Sequence, residues 1–87
     1  LSQDFDLLFE KTRLGLRCHE LAQEANLSRR EEEVLLLLAQ RKRPAAIAEQ
    51  LGIEASTVAT HRKHVYQKLG VHSIKQLQER IGSSLQD

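Results

Sequence analysis

The sequence predicts a small, all-helical domain. No stretch alternates apolar and polar residues over the length of a strand, and no Asn-Gly or Asp-Gly pair signals a hairpin turn. Instead, serines, glycines and the single proline stand where helices are expected to begin or end. With 87 residues, 40% of them hydrophobic and 3% aromatic, the chain has material for one compact core of aliphatic side chains.

The first predicted helix covers residues 4–25 and has apolar residues on two nearly opposite faces. A helix that only covers its own domain needs one such face, so the second predicts a partner, either another copy of the chain or an upstream part of the protein. The alternative is a helix that frays at Gly15 and wraps partly around its own domain, since a lone glycine costs about 1 kcal/mol. One face carries Phe5, Leu8, Phe9 and Leu16, and the other carries Leu7, Leu14, Cys18, Leu21 and Ala25.

Two helices follow, each with a recognisable start. The second opens at Ser28, whose hydroxyl can cap free N–H groups while Glu31 reaches back to complete a capping box, and it continues to about Gln40. The third begins at Pro44, a residue suited to the first helical turn, and it stops at Gly52.

The last two predicted helices cover residues 55–69 and 73–81. Gly70 ends the fourth helix as a left-handed cap, and Gly82 stands behind the fifth.

Only Gly52, Ile53 and Glu54 separate the third and fourth helices, which forces a sharp turn. Ala48 is small enough to let two helices approach closely, Gly52 can take a positive φ, and Val58 fills the angle between the helices. This spacing is typical of a helix-turn-helix.

Charge is distributed unevenly along the chain, although the net charge is only +1. Residues 1–40 carry a net charge of −3, whereas residues 41–75 carry seven Lys and Arg against two Glu. A basic segment of this kind suggests a partner that bears phosphates.

On a helical wheel, the fourth helix separates into an apolar stripe and a polar face. Val58, Val65, Leu69 and Tyr66 form the stripe that we expect to be buried. The opposite face has no acid, as expected of a helix that lies in the major groove beside phosphates. It carries Ser56, Thr60, Lys63 and Gln67, with Ala59 and His64 on its flanks.

Five segments keep the spacing of one known family without a gap. They are Leu27-Ser28-x-Arg30-Glu31-x-Glu33-Val34-Leu35, Leu38-Ala39-Gln40, Ile47-Ala48-Glu49-Gln50-Leu51-Gly52-Ile53, Ser56-Thr57-Val58-x-Thr60-His61 and Lys68-Leu69-Gly70-Val71-His72-Ser73. Over about two thirds of its length the chain thus resembles the LuxR/NarL-type (GerE-like) helix-turn-helix domain, the DNA-binding output module of many bacterial transcription regulators.

The resemblance implies a four-helix domain at residues 27–83, with an additional N-terminal helix in a linker or dimerisation segment at 1–26 and a tail at 84–87. It also implies that the helix at about 55–69 lies in the major groove and that the last helix forms a dimer contact.

The resemblance and the polar face together predict the site residues. Base contacts are expected from Ala59, Thr60, Lys63 and Gln67. Phosphate contacts are expected from Arg41, Lys42, Arg43, Thr57, His61, Arg62 and Lys68. The predicted dimer contact consists of Ile74, Leu77, Gln78 and Ile81, most of which recur on one side of the last helix.

The chain departs from the family pattern at three positions. Arg41 stands where the family usually has Gly at a helix end, and Arg43 stands where a Ser or Thr commonly caps the next helix. Ala59 replaces a frequent Lys and leaves a methyl group that can meet a thymine methyl. The first two changes create a basic turn, and the third predicts an atypical target sequence.

The sequence argues against an enzyme or a metalloprotein, and we expect no cofactor. Cys18 is the single cysteine, so neither a disulfide nor a zinc ligand set is available, and it is expected to be a small buried hydrophobe. His61 and His64 have no third ligand at helical spacing, and no Ser, His and acid are ordered as nucleophile and base. The longest apolar run, residues 34–39, is far shorter than the roughly 20 residues that cross a bilayer.

Two other functions stay open beside DNA binding. One is a protein-interaction module with little DNA affinity, and the other is a promoter-binding domain like region four of bacterial sigma factors. The cations of residues 41–75 favour DNA. We expect a homodimer on double-stranded DNA, an upstream sensory or receiver domain, no membrane contact by this segment, and a cytoplasmic location in a free or membrane-tethered parent protein.

Overall fold

The computed structural model describes the backbone of residues 13–85 and the side chains of residues 13–82. Five helices follow one another in this range, and no strand occurs among them. They are α1 (Arg13–Ala25), α2 (Arg29–Ala39), α3 (Pro44–Leu51), α4 (Ala55–Leu69) and α5 (Ile74–Leu85). The predicted all-helical fold class is confirmed. Phe5, Leu7, Leu8 and Phe9 lie outside the described residues.

The starts of α2 and α3 follow the local sequence. At α2, the backbone N–H of Glu31 donates to Ser28 Oγ at 3.2 Å, and the backbone N–H of Ser28 donates to Glu31 Oε1 at 2.9 Å, so the capping box is confirmed. At α3, Pro44 occupies the first turn behind an extended Arg43, whose side chain makes no capping hydrogen bond. Both helices therefore begin where the sequence predicts.

Two of the predicted glycine caps are present and one is wrong. Gly52 (φ 67°) and Gly70 (φ 73°) end α3 and α4 in the left-handed conformation. Gly82 takes no positive φ, and α5 continues through it to Leu85 instead of ending at Ile81. A glycine weakens a helix only by about 1 kcal/mol relative to alanine, and packing of α5 on the core outweighs that cost.

The core is built around α2, which contacts the other four helices. The five consecutive side chains from Val34 to Leu38 are all buried, so α2 is enclosed on nearly every side. Ala48 and Val58 are buried at the turn between α3 and α4, as the helix-turn-helix spacing predicts. Val65 and Leu69 continue the buried stripe of α4, so three of the four residues predicted for its inner face are confirmed, whereas Tyr66 is only half-buried.

The described part of the first helix packs on its own domain. Cys18, Leu21 and Ala22 are buried in the common core, and α1 contacts α2, α4 and α5. Leu16 points away from this contact and is 50% exposed. For residues 13–25, the alternative in which the helix wraps around its own domain is therefore favoured.

Two residues of the predicted dimer contact belong to the core. Leu77 is fully buried and Ile81 is 1% exposed, so neither side chain is available to a second copy. Leu77 and Ile81 lie one turn apart, which predicts that they can flank the core and leave Ile74 nearer the surface, and α5 packs both against its own domain. Ile74, at 46% exposure, remains outside.

Candidate nucleic-acid interface

The outer face of α4 presents the four side chains predicted to contact bases. Ala59, Thr60, Lys63 and Gln67 are all exposed, because the buried Val58, Val65 and Leu69 fix the opposite side of the helix against the core. The short turn through Gly52 places α3 directly before α4, and the backbone N–H of Ile53 closes it by donating to the Ala48 carbonyl at 3.0 Å. The polar face therefore stands on a rigid helix pair.

Each side chain on this face offers different chemistry. Thr60 Oγ1 donates to the Ser56 carbonyl at 3.1 Å, which leaves the oxygen lone pairs and the methyl group to face outward. Lys63 forms no ion pair within the described range, so its three ammonium donors are free. Ala59 adds a methyl group and Gln67 an amide. The face can thus donate, accept and make apolar contact.

The predicted phosphate contacts in the turn between α2 and α3 are exposed and unpaired. Arg41, Lys42 and Arg43 form no side-chain hydrogen bond or ion pair among the described residues. Arg41 adopts a left-handed conformation with φ 65°, which costs a non-glycine residue roughly 1–2 kcal/mol. The chain keeps an arginine here although glycine would fit the backbone better.

The predicted phosphate contacts on α4 lie close to its outer face. Thr57 is exposed, and Arg62 is half-buried with no ion-pair partner in the described range. His61 is half-buried, and its Nδ1 atom is enclosed without a hydrogen-bond partner in the described part of the chain. Because this atom is enclosed, it is not accessible to an external phosphate.

Lys68 is held differently from the other predicted phosphate contacts. Its Nζ atom donates to Glu31 Oε1 at 2.8 Å, and His64 Nδ1 lies 3.4 Å from Glu31 Oε2. Burial would raise the pKa of Glu31, but the hydrogen bonds from Lys68 and the Ser28 backbone, with the charges of Lys68 and His64, lower it overall. One carboxylate therefore contacts two side chains of α4, the Lys68 ammonium and the His64 ring.

The sequence pattern did not identify Glu31 as a partner of α4. It indicated Glu31 only as a capping residue, because the capping box is a local signal whereas Lys68 lies 37 positions away along the chain. A similar long-range contact joins α1 to α2, where His19 Nδ1 lies 2.8 Å from Glu32 Oε2. The first contact joins α2 to α4, and the second joins α1 to α2.

The remaining predicted dimer residues lie at the start of α5. Ile74 is exposed, whereas Gln78 Nε2 donates to the Leu38 carbonyl at 2.9 Å and so bridges α5 to the end of α2. With Leu77 and Ile81 in the core, the side available to a second copy is limited to Ile74 and its polar neighbours.

Cys18 is the single cysteine of the chain, and its side chain is buried. Burial, with a smaller effect of the Glu32 carboxylate, raises the pKa of the Cys18 thiol to about 12, so the reactive thiolate is scarce near neutral pH. Among residues 13–85, no cluster of three or more His, Cys, Asp or Glu is placed to hold a metal ion. No helix in that range is long and apolar enough to cross a bilayer.

Comparison with known proteins places these observations in a family. Residues 25–80 match the family described as bacterial regulatory proteins, luxR family. The chain is 43% identical over 51 residues to the Fimbriae Z protein of Salmonella typhimurium strain LT2, a match that covers 59% of the chain. The matched segment is 24% of that relative, so the chain spans about a quarter of its length. No solved structure matches the chain.

Proposed function

The chain belongs to the luxR family of bacterial regulatory proteins, and from that membership we propose that it binds double-stranded DNA sequence-specifically, with α4 in the major groove. The observation that carries the proposal is the outer face of α4. This helix contains no Asp or Glu among its 15 residues, and its exposed side chains are short, polar or cationic. A carboxylate on that face would meet phosphate repulsion, whereas these side chains meet none.

The base contacts follow from the chemistry of each side chain. The free ammonium of Lys63 suits the O6 and N7 acceptors of a guanine. Thr60 offers an oxygen acceptor and a methyl group, and Ala59 offers a methyl group that can pack on thymine. Gln67, two turns beyond Thr60, suits an adenine edge. Together they predict a short recognised sequence that contains both a G·C and an A·T pair.

The phosphate contacts are divided between the basic turn and α4. Arg41, Lys42 and Arg43 are free to bind the DNA backbone together with Arg62, which lines the same groove of the protein as Arg41 and Lys42. Thr57 and His61 would contact the backbone from another flank of α4. Lys68 is the least available of the predicted contacts, because phosphate has to compete with Glu31 for its ammonium. The affinity is therefore expected to depend more on the turn than on the end of α4.

In this proposal the chain is the output domain of a transcription regulator that acts on bacterial DNA in the cytoplasm. Pairing of two copies on adjacent half-sites and an upstream sensory or receiver domain stay predictions. The Fimbriae Z relative is about four times as long as the matched segment, which leaves room in that protein for such a domain.

A selection of bound sites from random duplexes tests the proposal. The domain should enrich one short sequence and bind it with an affinity that falls steeply with salt. A Lys63→Ala variant, carried in parallel, should enrich a sequence degenerate at one position. Binding that is absent even at low salt would instead support the protein-interaction module, and enrichment of a promoter element together with RNA polymerase would support the sigma-like alternative.

A further inference from the structure

A groove beside the outer face of α4 combines an apolar floor with a cationic rim. It lies between the end of α2, the start of α3, the middle of α4 and the start of α5. Leu38, Pro44, Tyr66 and Ile74 provide its apolar surface. Arg41, Lys42, Arg62 and Lys75 surround that surface, against the single acid Glu79. We propose that this groove binds an acidic peptide segment of a partner protein, with apolar side chains between its carboxylates.

The cations of the rim are available to a ligand. None of the four is engaged in a side-chain hydrogen bond or an ion pair within the described part of the chain. This contrasts with Lys68 on the same helix as Arg62, whose charge is already matched by Glu31. An excess of free positive charge around an apolar surface favours a carboxylate-rich partner.

The floor of the groove supplies the anchor for an apolar side chain. Ile74 and Leu16 are the two large hydrophobic residues that stay exposed in the described range, and only Ile74 lines the groove. Tyr66 lies beside it half-buried, and burial raises the pKa of its hydroxyl, which stays protonated as a donor for a carboxylate. An apolar side chain seated on Ile74 would thus have a hydrogen-bond donor at its edge.

The walls of the groove are fixed before any ligand arrives. Gln78 Nε2 donates to the Leu38 carbonyl at 2.9 Å, and Arg80 Nη1 donates to the Leu69 carbonyl at 2.7 Å. These bonds tie α5 to the ends of α2 and α4. A preformed groove loses less conformational entropy on binding than a groove that has to become ordered.

The charge and the floor distinguish this occupant from two others. Two free copies whose grooves faced each other would bring two rims of the same positive charge together, which is unfavourable when no DNA is present to neutralise them. DNA phosphates would bind Arg41, Lys42 and Arg62, as in the proposed function, but would leave the apolar floor without a partner, since the backbone of DNA is polar and charged. A peptide in the groove would therefore compete with DNA for these three cations. A peptide that carries both acids and apolar side chains satisfies both parts of the groove.

The test measures fluorescence anisotropy with a short labelled peptide in which glutamates alternate with leucine and phenylalanine. A second probe replaces the leucine and phenylalanine by serine, and a third replaces the glutamates by lysine. The protein variants are Ile74→Ser and Lys75→Gln. Leu16→Ser is the matched control for Ile74 because it removes an equally exposed hydrophobe outside the groove, and Arg43→Ser is the control for Lys75 because its cation does not line the groove.

We expect the acidic–apolar probe to bind the unmodified chain and both control variants with the same affinity. Its affinity should fall about tenfold for Ile74→Ser and several-fold for Lys75→Gln. The other two probes should bind poorly. Circular dichroism checks that each variant is folded, and Ile74 and Lys75 are exposed positions where folding should persist.

Three results would overturn the proposal. If the serine probe bound as tightly as the acidic–apolar probe, charge attraction alone would explain the interaction. Equal effects of Ile74→Ser and Leu16→Ser would place the peptide elsewhere. Self-association of the free chain that Ile74→Ser abolishes would assign the groove to a second copy. None of these readouts uses DNA, so failure of the peptide proposal can be told apart from failure of the proposed function, although Arg41, Lys42 and Arg62 serve in both.

Discussion

The ammonium of Lys68, at the end of α4, lies 2.8 Å from Oε1 of Glu31, in the first turn of α2. The same carboxylate caps α2 through the backbone of Ser28 and faces His64 one turn earlier on α4. Glu31 is only 7% exposed, so its charge is matched by neighbours rather than by water. The start of α2 and the second half of α4 are thereby joined through one side chain.

We expect Glu31→Gln to lower the free energy of unfolding by about 1–2 kcal/mol. Glutamine keeps an oxygen that can accept from the Ser28 backbone, so the substitution mainly removes the charge that faces Lys68 and His64. Lys68 is 40% exposed, which limits the loss through hydration. Urea denaturation at neutral pH measures the change.

Glu33→Gln is the control for this substitution. Glu33 lies on the same helix and pairs with Arg29 and Arg30, whose side chains are largely exposed, so its loss should change stability by no more than about 0.5 kcal/mol. Equal losses in the two variants would mean that the contact between Glu31 and Lys68 contributes nothing beyond a surface ion pair.

The stabilisation by Glu31 should depend on pH. Its pKa is lowered from 4.5 in the folded chain, so the ionised form stabilises the fold above that pH, and the contribution is lost as the pH falls through the lowered value. The difference in unfolding free energy between the unmodified chain and Glu31→Gln should therefore persist above pH 4.5 and shrink below it. Denaturation curves across this range test the sign, and a difference that grew in acid would contradict it.

The sequence could predict features that depend on neighbouring residues. Ser28 and Glu31 cap α2 within one turn, Gly52 and Gly70 supply the left-handed ends of α3 and α4, and the period of α4 separates its inner from its outer face. Each of these follows from local chemistry or from helical periodicity.

Features that depend on tertiary packing were not predictable. Nothing local shows that Lys68 meets Glu31, or that Leu77 and Ile81 are buried completely enough to be lost to a second copy. Gly82 resembled a helix end, yet the contacts of α5 with α1 and α2 carry the helix past it. The apolar pattern identifies residues that need burial but not the surface that buries them.

For DNA recognition, we expect Lys63→Ala to weaken binding to the preferred duplex by about 1–3 kcal/mol. Binding to duplexes changed at the base pair that Lys63 contacts should be weakened far less. The reason is that its free ammonium reads one base edge rather than the backbone. Fluorescence titration with a set of single-substitution duplexes measures the loss. A Lys68→Ala variant provides the comparison, since its ammonium is bonded to Glu31 and its removal should not alter the preferred base. Loss of discrimination at the same base pair in both variants would contradict the assignment.

Arg41→Gly should stabilise the domain while weakening its binding to DNA. Glycine relieves the strain of the left-handed backbone at φ 65°, so a gain of about 0.5–1 kcal/mol in stability is expected. Loss of one phosphate contact should lower the slope of log affinity against log salt by about 0.9. Denaturation and a salt titration measure the two effects.

Asn26→Gly is the matched control for Arg41→Gly. Asn26 is the other non-glycine residue at positive φ in the described range, at 63°, and it lies between α1 and α2 rather than in the basic turn. Its substitution should leave the salt slope unchanged. An unchanged slope for Arg41→Gly as well would assign the Arg41 side chain to solvent.

On a duplex with two half-sites, we expect two copies to bind, and we expect the free domain to be monomeric. Among the predicted dimer residues, Leu77 and Ile81 lie in the core and Gln78 is bonded to Leu38, so Ile74 and its polar neighbours are left for contact between copies. Such a patch buries far less than the roughly 1,200 Å² of a stable interface, so DNA has to hold the copies side by side.

Ile74→Glu should then reduce the cooperativity of binding to the two-site duplex without changing the affinity for a single half-site. Leu16→Glu should change neither quantity. Analytical ultracentrifugation with one-site and two-site duplexes measures the stoichiometry, and one protein per two-site duplex at saturation would exclude the pairing.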